Sequence, residues 1–233
     1  MKIFLSVGHS LLRNGSYTSA NGTKYGGCIE YIYCKSLGGY VRDYLTSVGH
    51  SVDFIVCPEK KFTSKSEEYS YKITKENKGK YDLVVELHLN ASVKHDAVGS
   101  EVYYYDDGDG KKTAKRVVEK LGTLFKNRGA KQNKSFYMLS DTVATAILIE
   151  SFFCDNKSDY EKGKDVRKVA KLISEGIHGK AIATTPNKSE VSSGSEGVKY
   201  TVQTGAFTNK ENAEKMKKEL EKKGIDSIVK EVS

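Results

Sequence analysis

Between residue 2 and about residue 180, short apolar runs alternate with longer stretches in which apolar side chains recur every three or four positions. These are the periods of strands and of helices. Lys2–Val7 reads as a first strand, ended by a turn at Gly8, His9 and Ser10. A polar loop over residues 14–27 follows, and then Ile29, Ile32, Leu37, Val41, Leu45 and Val48 fall at helical spacing, with Glu30 in the first turn and Gly49 at the end. Residues 52–56 give a second strand, which Pro58 stops. Ser64-x-x-Glu67 has the form of a capping box and opens a helix to about Asn77. Residues 81–89, rich in Val and Leu, read as a strand buried on both faces.

Farther along, residues 99–105 predict a strand and residues 113–126 a helix with Val117, Val118, Leu121, Leu124 and Phe125 inward. Residues 136–139 predict a short strand and residues 145–151 another buried one with a lone acid, Glu150. A last helix, capped by Ser158-x-x-Glu161, carries Val166, Val169, Leu172, Ile173 and Ile177. Strands alternating with helices predict an α/β fold over residues 1–180: a twisted, mostly parallel sheet with helices on both faces. Residues 181–197 turn to Thr, Ser, Gly and Asn with no apolar period and read as a flexible linker. Residues 198–233 predict a small C-terminal β-α-β module: a strand, a turn at Gly205, a helix opened by Thr208-x-x-Glu211 with Ala213, Met216 and Leu220 inward, Gly224 as its cap, and a closing strand. That is too short for a self-sufficient core.

Composition narrows the class. With 38% apolar residues and a net charge of +8 the chain belongs among folded proteins, and it has no apolar run long enough to span a membrane. The positive charge lies in residues 1–180, which hold 29 basic against 22 acidic side chains. Without clustered Arg or interleaved aromatics this pattern suits a solvated surface or a polyanionic wall polymer better than nucleic acid. The first residues have one charge and a short apolar run that leads straight into candidate site residues, unlike a signal peptide. The expectation is synthesis in the cytoplasm and another route out. Cysteines 28, 34, 57 and 154 form no CxxC pair and read as free, partly buried thiols.

Candidate chemistry sits where strands end. His9, His88 and Glu150 fall at or just past the C-terminal ends of separate buried strands, the edge where open parallel sheets gather ligand sites. Glu30 faces the same rim if the loop before it folds back. Glu86, His88 and Asn90 share one face of their strand, because side chains alternate. Burying a carboxylate beside an imidazole costs several kcal/mol unless something pairs with them, and a metal ion would do so. Two His and one Glu with a position left for water is a catalytic zinc set, and a further Glu is the expected general base.

Val7-Gly8-His9-Ser10, Cys28-Ile29-Glu30-Tyr31, Glu86-Leu87-His88-Leu89-Asn90-Ala91 and Ile147-Leu148-Ile149-Glu150-Ser151-Phe152-Phe153 resemble, in order, the motifs of zinc-dependent N-acetylmuramoyl-L-alanine amidases of clostridial autolysins and phage endolysins. The resemblance covers about residues 1–179. It implies one Zn2+ held by His9, Glu30 and His88, with Glu150 as the catalytic glutamate and Asn90 as the Asn of the His-x-Asn motif. The implied reaction is hydrolysis of the amide between N-acetylmuramic acid and L-alanine in peptidoglycan. Many relatives have a small or apolar residue where this chain has Glu86, which is either an acceptor orienting a ligand His or a buried salt-bridge acid. His95, in the polar loop after the strand, is close enough in sequence to contact substrate.

The tail resembles a SPOR-type peptidoglycan-binding repeat through Tyr200-Thr201-Val202-Gln203-Thr204-Gly205-Ala206-Phe207 and Asn212-Ala213, with Gln203 and Phe207 as candidate glycan contacts. Such domains contain two β-α-β halves and this chain has one, so either two chains supply the halves or the tail folds only marginally; the exposed apolar sheet face of an unpaired half favours a homodimer through the tail. A zinc exopeptidase and a non-catalytic wall-binding protein are the competing readings. Release to the wall by a phage-type pore and by mother-cell lysis both fit, and the SPOR-like repeat tilts the reading toward a host or prophage enzyme of a spore-former.

Overall fold

The computed structural model describes residues 1–183, 209–222 and 229. The chain falls into two compact units, Met1–Ser189 and Glu190–Ser233. In the first, β1 (Lys2–Val7), β2 (Ser51–Ile55), β3 (Leu83–Asn90), β4 (Ser100–Tyr104), β5 (Asn127–Gln132) and β6 (Ala146–Phe153) form one sheet in the order β2-β1-β3-β6-β4-β5. The first four strands of that order are mutually parallel. β4 runs antiparallel to β6 and parallel to β5. The sheet is therefore mostly parallel, as the alternation of elements predicts.

On one face lie α1 (Glu30–Ser47), α3 (Asp109–Leu121) and α6 (Val166–His178), packed over Ile3, Leu5, Val7, Val85, Leu87, Leu89, Ile147 and Ile149. α2 (Lys65–Lys78) and α4 (Tyr137–Ser140) cover the other face, where a smaller apolar cluster joins Phe4, Val84, Met138, Leu139, Ala146 and Leu148. Odd and even positions of each strand thus serve opposite faces, the alternation of a pleated strand. α5 (Lys157–Gly163) bridges β6 to α6.

Several local expectations are corrected. Residues 136–139 are not a strand: Tyr137–Ser140 is a single helical turn that tucks Met138 and Leu139 into the smaller cluster. The unexpected strand is β5, Asn-Arg-Gly-Ala-Lys-Gln, which as an edge strand needs no apolar alternation and carries charges instead. The helix after the loop at 106–108 begins at Asp109 and ends at Leu121, with Phe125 still buried beyond it. The last helix is two, capped separately by the Asn156 and Asp165 side chains rather than by Ser158. In α1, Ile32 points outward at 51% exposure, and Tyr31, Tyr33, Cys34 and Tyr44 are buried in its place.

The α2 cap is as expected at Ser64, whose hydroxyl accepts from the Glu67 amide. The Glu67 carboxylate reaches one residue further back, to the Thr63 amide and hydroxyl. Ile182, inside the stretch read as linker, is buried in the main core, and its amide donates to Glu175. The folded body therefore extends past residue 181.

In the second unit, α7 (Lys210–Lys222) is helical where expected, and the Asn209 side chain accepts from the Glu211 amide at its start. Thr208, the strands expected at 198–202 and, apart from Val229, at 225–232, Gly205, Gly224 and the candidate contacts Gln203 and Phe207 lie outside the described residues. No described helix is long and apolar enough to cross a membrane.

Candidate metal centre

The C-terminal ends of β1, β3 and β6 meet the N-terminus of α1, and there His9, Glu30, His88 and Glu150 come together. His9 is the second residue beyond β1, held in the left-handed region at φ 69°. The preceding Gly8 amide donates to the Leu87 carbonyl, and a Cβ on Gly8 would come within 2.1 Å of the His88 ring. Only glycine leaves room for that imidazole. The Gly-His pair is thus one device: the first residue admits His88, and the second turns its own ring toward it. The rings meet edge-on, with centroids 4.9 Å apart.

Glu30 opens α1, where its charge also favours the helix N-terminus, and it is 2% exposed. Its placement depends on the loop before it. That loop folds back through bridges between Leu11 and Tyr17 and between Asn21 and Ile29, and the Cys28 amide donates to the Cys154 carbonyl. Glu30 Oε2 accepts from the Ala20 amide of the loop, and Oε1 from the Leu89 amide of β3. Oε1 then stands 3.2 Å from His9 Nε2 and 2.9 Å from His88 Nδ1. One ligand atom from each of the three residues lies within 4.8 Å of the other two.

The electrostatics fit a cation at this point. Burial alone would raise Glu30, but the hydrogen bonds and charges of His88 and His9 hold its carboxyl well below the usual range, so it is ionised. Two imidazole nitrogens and a carboxylate oxygen, buried and convergent, are the donors a borderline-soft divalent ion takes, zinc among them.

Glu150 stands beside His88 in register on the neighbouring strand, facing the same side of the sheet. Its Oε2 is buried with no hydrogen-bond partner. Burial pushes the carboxyl up to about 8; the His88 charge opposes this, and the Glu30, Glu101 and Glu86 carboxylates reinforce it. It is the acid of the cluster poised to exchange a proton near neutral pH.

Asn90 donates to Glu101 Oε1 at 2.7 Å, on the same sheet face as His88. Glu101, opposite Glu150 across β4 and β6, also accepts from Tyr103, Arg128 and Lys131. This polar corner was not legible in the sequence, because β5 supplies both of its cations. His95 sits on the rim at φ 56°, its Nδ1 2.7 Å from the Asp155 carboxylate and its ring stacked on Tyr25 at 3.5 Å. Asp155 also accepts from the Ser92 amide.

Glu86 is 1% exposed and forms a buried ion pair with Lys72 of α2. Burial would raise it, but the Lys72 and His88 charges hold it down at about 2. Its Oε2 lies 3.1 Å from His88 Nε2. Lys72 and Glu68 escaped sequence reasoning because charges spaced four apart on a helix ordinarily mark its solvated face. Cys34 is a fully buried thiol, and all four cysteines are free. Burial raises the Cys34 thiol well above its ordinary range and lifts Cys28 to about 12, so neither is a nucleophile.

Comparison with known proteins agrees with this architecture. The catalytic domain of the CD27L endolysin targeting Clostridia difficile superposes with a TM-score of 0.74 and 52% identity, covering 78% of this chain and 99% of that one. The sporulation-specific N-acetylmuramoyl-L-alanine amidase of Bacillus subtilis (strain 168) is 28% identical over 98% of this chain and 84% of its own length. N-acetylmuramoyl-L-alanine amidase CwlM of Bacillus licheniformis is 30% identical over 64% of this chain and 56% of its own length. The chain spans about half the length of the first curated relatives it matches. Residues 196–233 match the SPOR domain model. Residues 3–179 match the family model for N-acetylmuramoyl-L-alanine amidase, and the chain belongs to that family.

Proposed function

We propose that this chain hydrolyses the amide between the lactyl group of N-acetylmuramic acid and L-alanine in peptidoglycan, with one zinc ion held by His9, Glu30 and His88. The observation that carries the reading is the convergence of three ligand atoms beside an acid, Glu150, whose buried Oε2 has no partner. A zinc ion there would polarise the scissile carbonyl and lower the pKa of a water molecule toward neutrality.

Glu150 takes a proton from the attacking water as the new C–O bond forms, and delivers it to the departing amine of L-alanine as the C–N bond breaks. Its raised affinity for a proton suits both halves of that transfer. Asn90 and Glu101 fix the strand edge beside it, and His95, on its Asp155 support, is the rim residue offered to the stem peptide or glycan.

Residues 1–180 carry the reaction in this reading, residues 181–197 are the tether, and residues 198–233 bind wall glycan through Gln203 and Phe207. That tail pairs with the same tail of a second copy of the chain. The enzyme reaches the wall after release through a pore or by lysis of a mother cell.

Mass spectrometry of digested peptidoglycan, with and without chelator, tests the proposal. A free L-alanine amino terminus on the stem peptide, formed only without chelator, is the expected product. A released terminal amino acid would instead mark an exopeptidase, and intact wall with bound protein a non-catalytic binder. His88→Ala is expected to lose the metal and the activity together.

A further inference from the structure

The edge strand β5 brings more positive charge to the site than the carboxylate it meets can use. Arg128 and Lys131 both donate to Glu101 Oε2, Arg128 at 2.9 Å, while Asn90 and Tyr103 donate to Oε1. Burial would raise the Glu101 carboxyl, but the hydrogen bonds of Lys131, Arg128 and Tyr103 hold it down at about 2. One negative charge, with both oxygens already taken, therefore faces two cations. Glu101 is buried, whereas the Arg128 and Lys131 side chains are 31% and 40% exposed. Arg128 spends Nε on Glu101 and Nη1 on the Val98 carbonyl, and its Nη2 has no hydrogen-bond partner among the described residues. The Lys131 ammonium carries three donors and uses one.

The backbone is bent to produce this pair. Residues three apart on a regular strand face opposite sides of a sheet. Here the register shifts, so that Arg128 and Gly129 together stand opposite Glu101 alone, and Gly129 takes the left-handed turn of the bulge at φ 92°. The extra residue puts Arg128 and Lys131 on the same face. Charges that only guard a sheet edge can point anywhere into solvent. These two turn back over β4, and the Arg128 guanidinium also lies 5.0 Å from the centre of the Phe153 ring, at the C-terminal end of β6.

That places the pair beside the reacting centre. Glu101 is the cross-strand neighbour of Glu150, and adjacent strands lie about 4.8 Å apart, so the cationic heads stand roughly 5–10 Å from Glu150. In the proposed substrate, the residue after L-alanine begins one Cα step, about 3.8 Å, beyond it, and groups on that residue reach across the same interval.

We infer that Arg128 and Lys131 form an anion subsite that receives the carboxylate borne by the residue after L-alanine in the stem peptide, and so select stem peptides in which that carboxylate is free. This rests on the amidase reading above and names the part of the substrate that β5 recognises.

Steady-state kinetics of the full chain on two synthetic muramyl tripeptides test it, the carboxylate after L-alanine being free in one and converted to its amide in the other. The wild type is expected to cleave the free acid with a kcat/KM about 10–100-fold higher, carried mainly by KM. Lys131→Gln, which leaves Arg128 to pair with Glu101, is expected to cut that preference several-fold, and Lys131→Arg to keep it. Arg128→Gln/Lys131→Gln should abolish the preference; if that variant fails to fold, the two Lys131 variants decide by the same ratio. Equal cleavage of both peptides by the wild type overturns the subsite, as does a preference that Lys131→Gln leaves at the wild-type level. A wild type that cleaves neither the peptides nor whole cell wall removes the amidase reading, and the subsite with it.

Discussion

The two faces of the sheet are cut from the same strands in the same register, yet only one presents charged side chains. Toward α1, α3 and α6 the strands offer Ile3, Leu5, Val7, Val85, Leu87, Ile147 and Ile149, an apolar layer from end to end. Toward α2 and α4 they begin apolar with Phe4, Val84, Ala146 and Leu148, then turn to Glu86, His88 and Glu150 at their C-terminal ends. The first face holds the fold together. The second gives up some of that cohesion, since each buried ion must be compensated by a partner or by a bound cation. What the contrast teaches is that a strand can serve packing and chemistry at once, because alternate side chains never share a neighbour.

The contrast breaks most sharply at Glu150. Replacing it with Gln is expected to lower the hydrolysis rate by about 10²–10⁴-fold, the usual contribution of a general acid–base group, while zinc content stays at the wild-type level. Metal analysis with a turnover assay on cell walls checks both halves, and a Gln variant of near-normal activity would remove Glu150 from the mechanism.

Next in size is Lys72→Met taken alone, which strands two buried carboxylates and is expected to cost about 3–5 kcal/mol in denaturant unfolding. Glu68→Gln, Lys72→Met and Glu86→Gln made together, which leave no buried charge unpaired there, should recover most of that loss. On the apolar face, Leu87→Ala removes a fully buried side chain and is expected to cost about 2–5 kcal/mol, with zinc affinity unchanged in the fraction that remains folded. If Leu87→Ala weakened zinc binding in the folded fraction, the two faces would not be independent.

How much of this was legible from the residues follows the same division. The central strands announce themselves as apolar runs because both of their sides are buried, and His9, His88 and Glu150 are conspicuous as polar residues at the ends of such runs. Glu30 was legible only on the condition that the preceding loop folds back, which depends on bridges at Leu11 and Asn21 that no periodicity records. β5 was invisible because an edge strand with a register shift and Gly129 at φ 92° has no apolar alternation to read. The stripe Glu68, Lys72, Glu76 reads on its own as a solvated helix face, and only the sheet beneath it, with Glu86 buried, reverses the assignment. Local pattern fixes which side of an element is unlike the other; it does not say which of them faces inward when charge is matched by charge.

Glu76, the last member of that stripe, separates a used buried acid from an unused one. It is 2% exposed, and neither of its carboxylate oxygens has a hydrogen-bond partner. Burial pushes it up to about 8, with the Glu86 charge adding to the shift and Lys72 opposing it. A carboxyl that holds its proton more tightly folded than unfolded lowers stability as pH rises, here from about 4.5 through 8, because over that window the unfolded chain has already released the proton. Glu76→Met should therefore already gain on the wild type near pH 4, by about 1–3 kcal/mol for removing an unsatisfied buried polar group, and gain steadily more as the pH rises toward 8. Denaturant titrations of both chains at pH 4, 6 and 8 read the slope directly. A difference that stayed constant with pH would mean that Glu76 has a partner in solution, and that the stripe is compensated along its whole length rather than only where it meets the site.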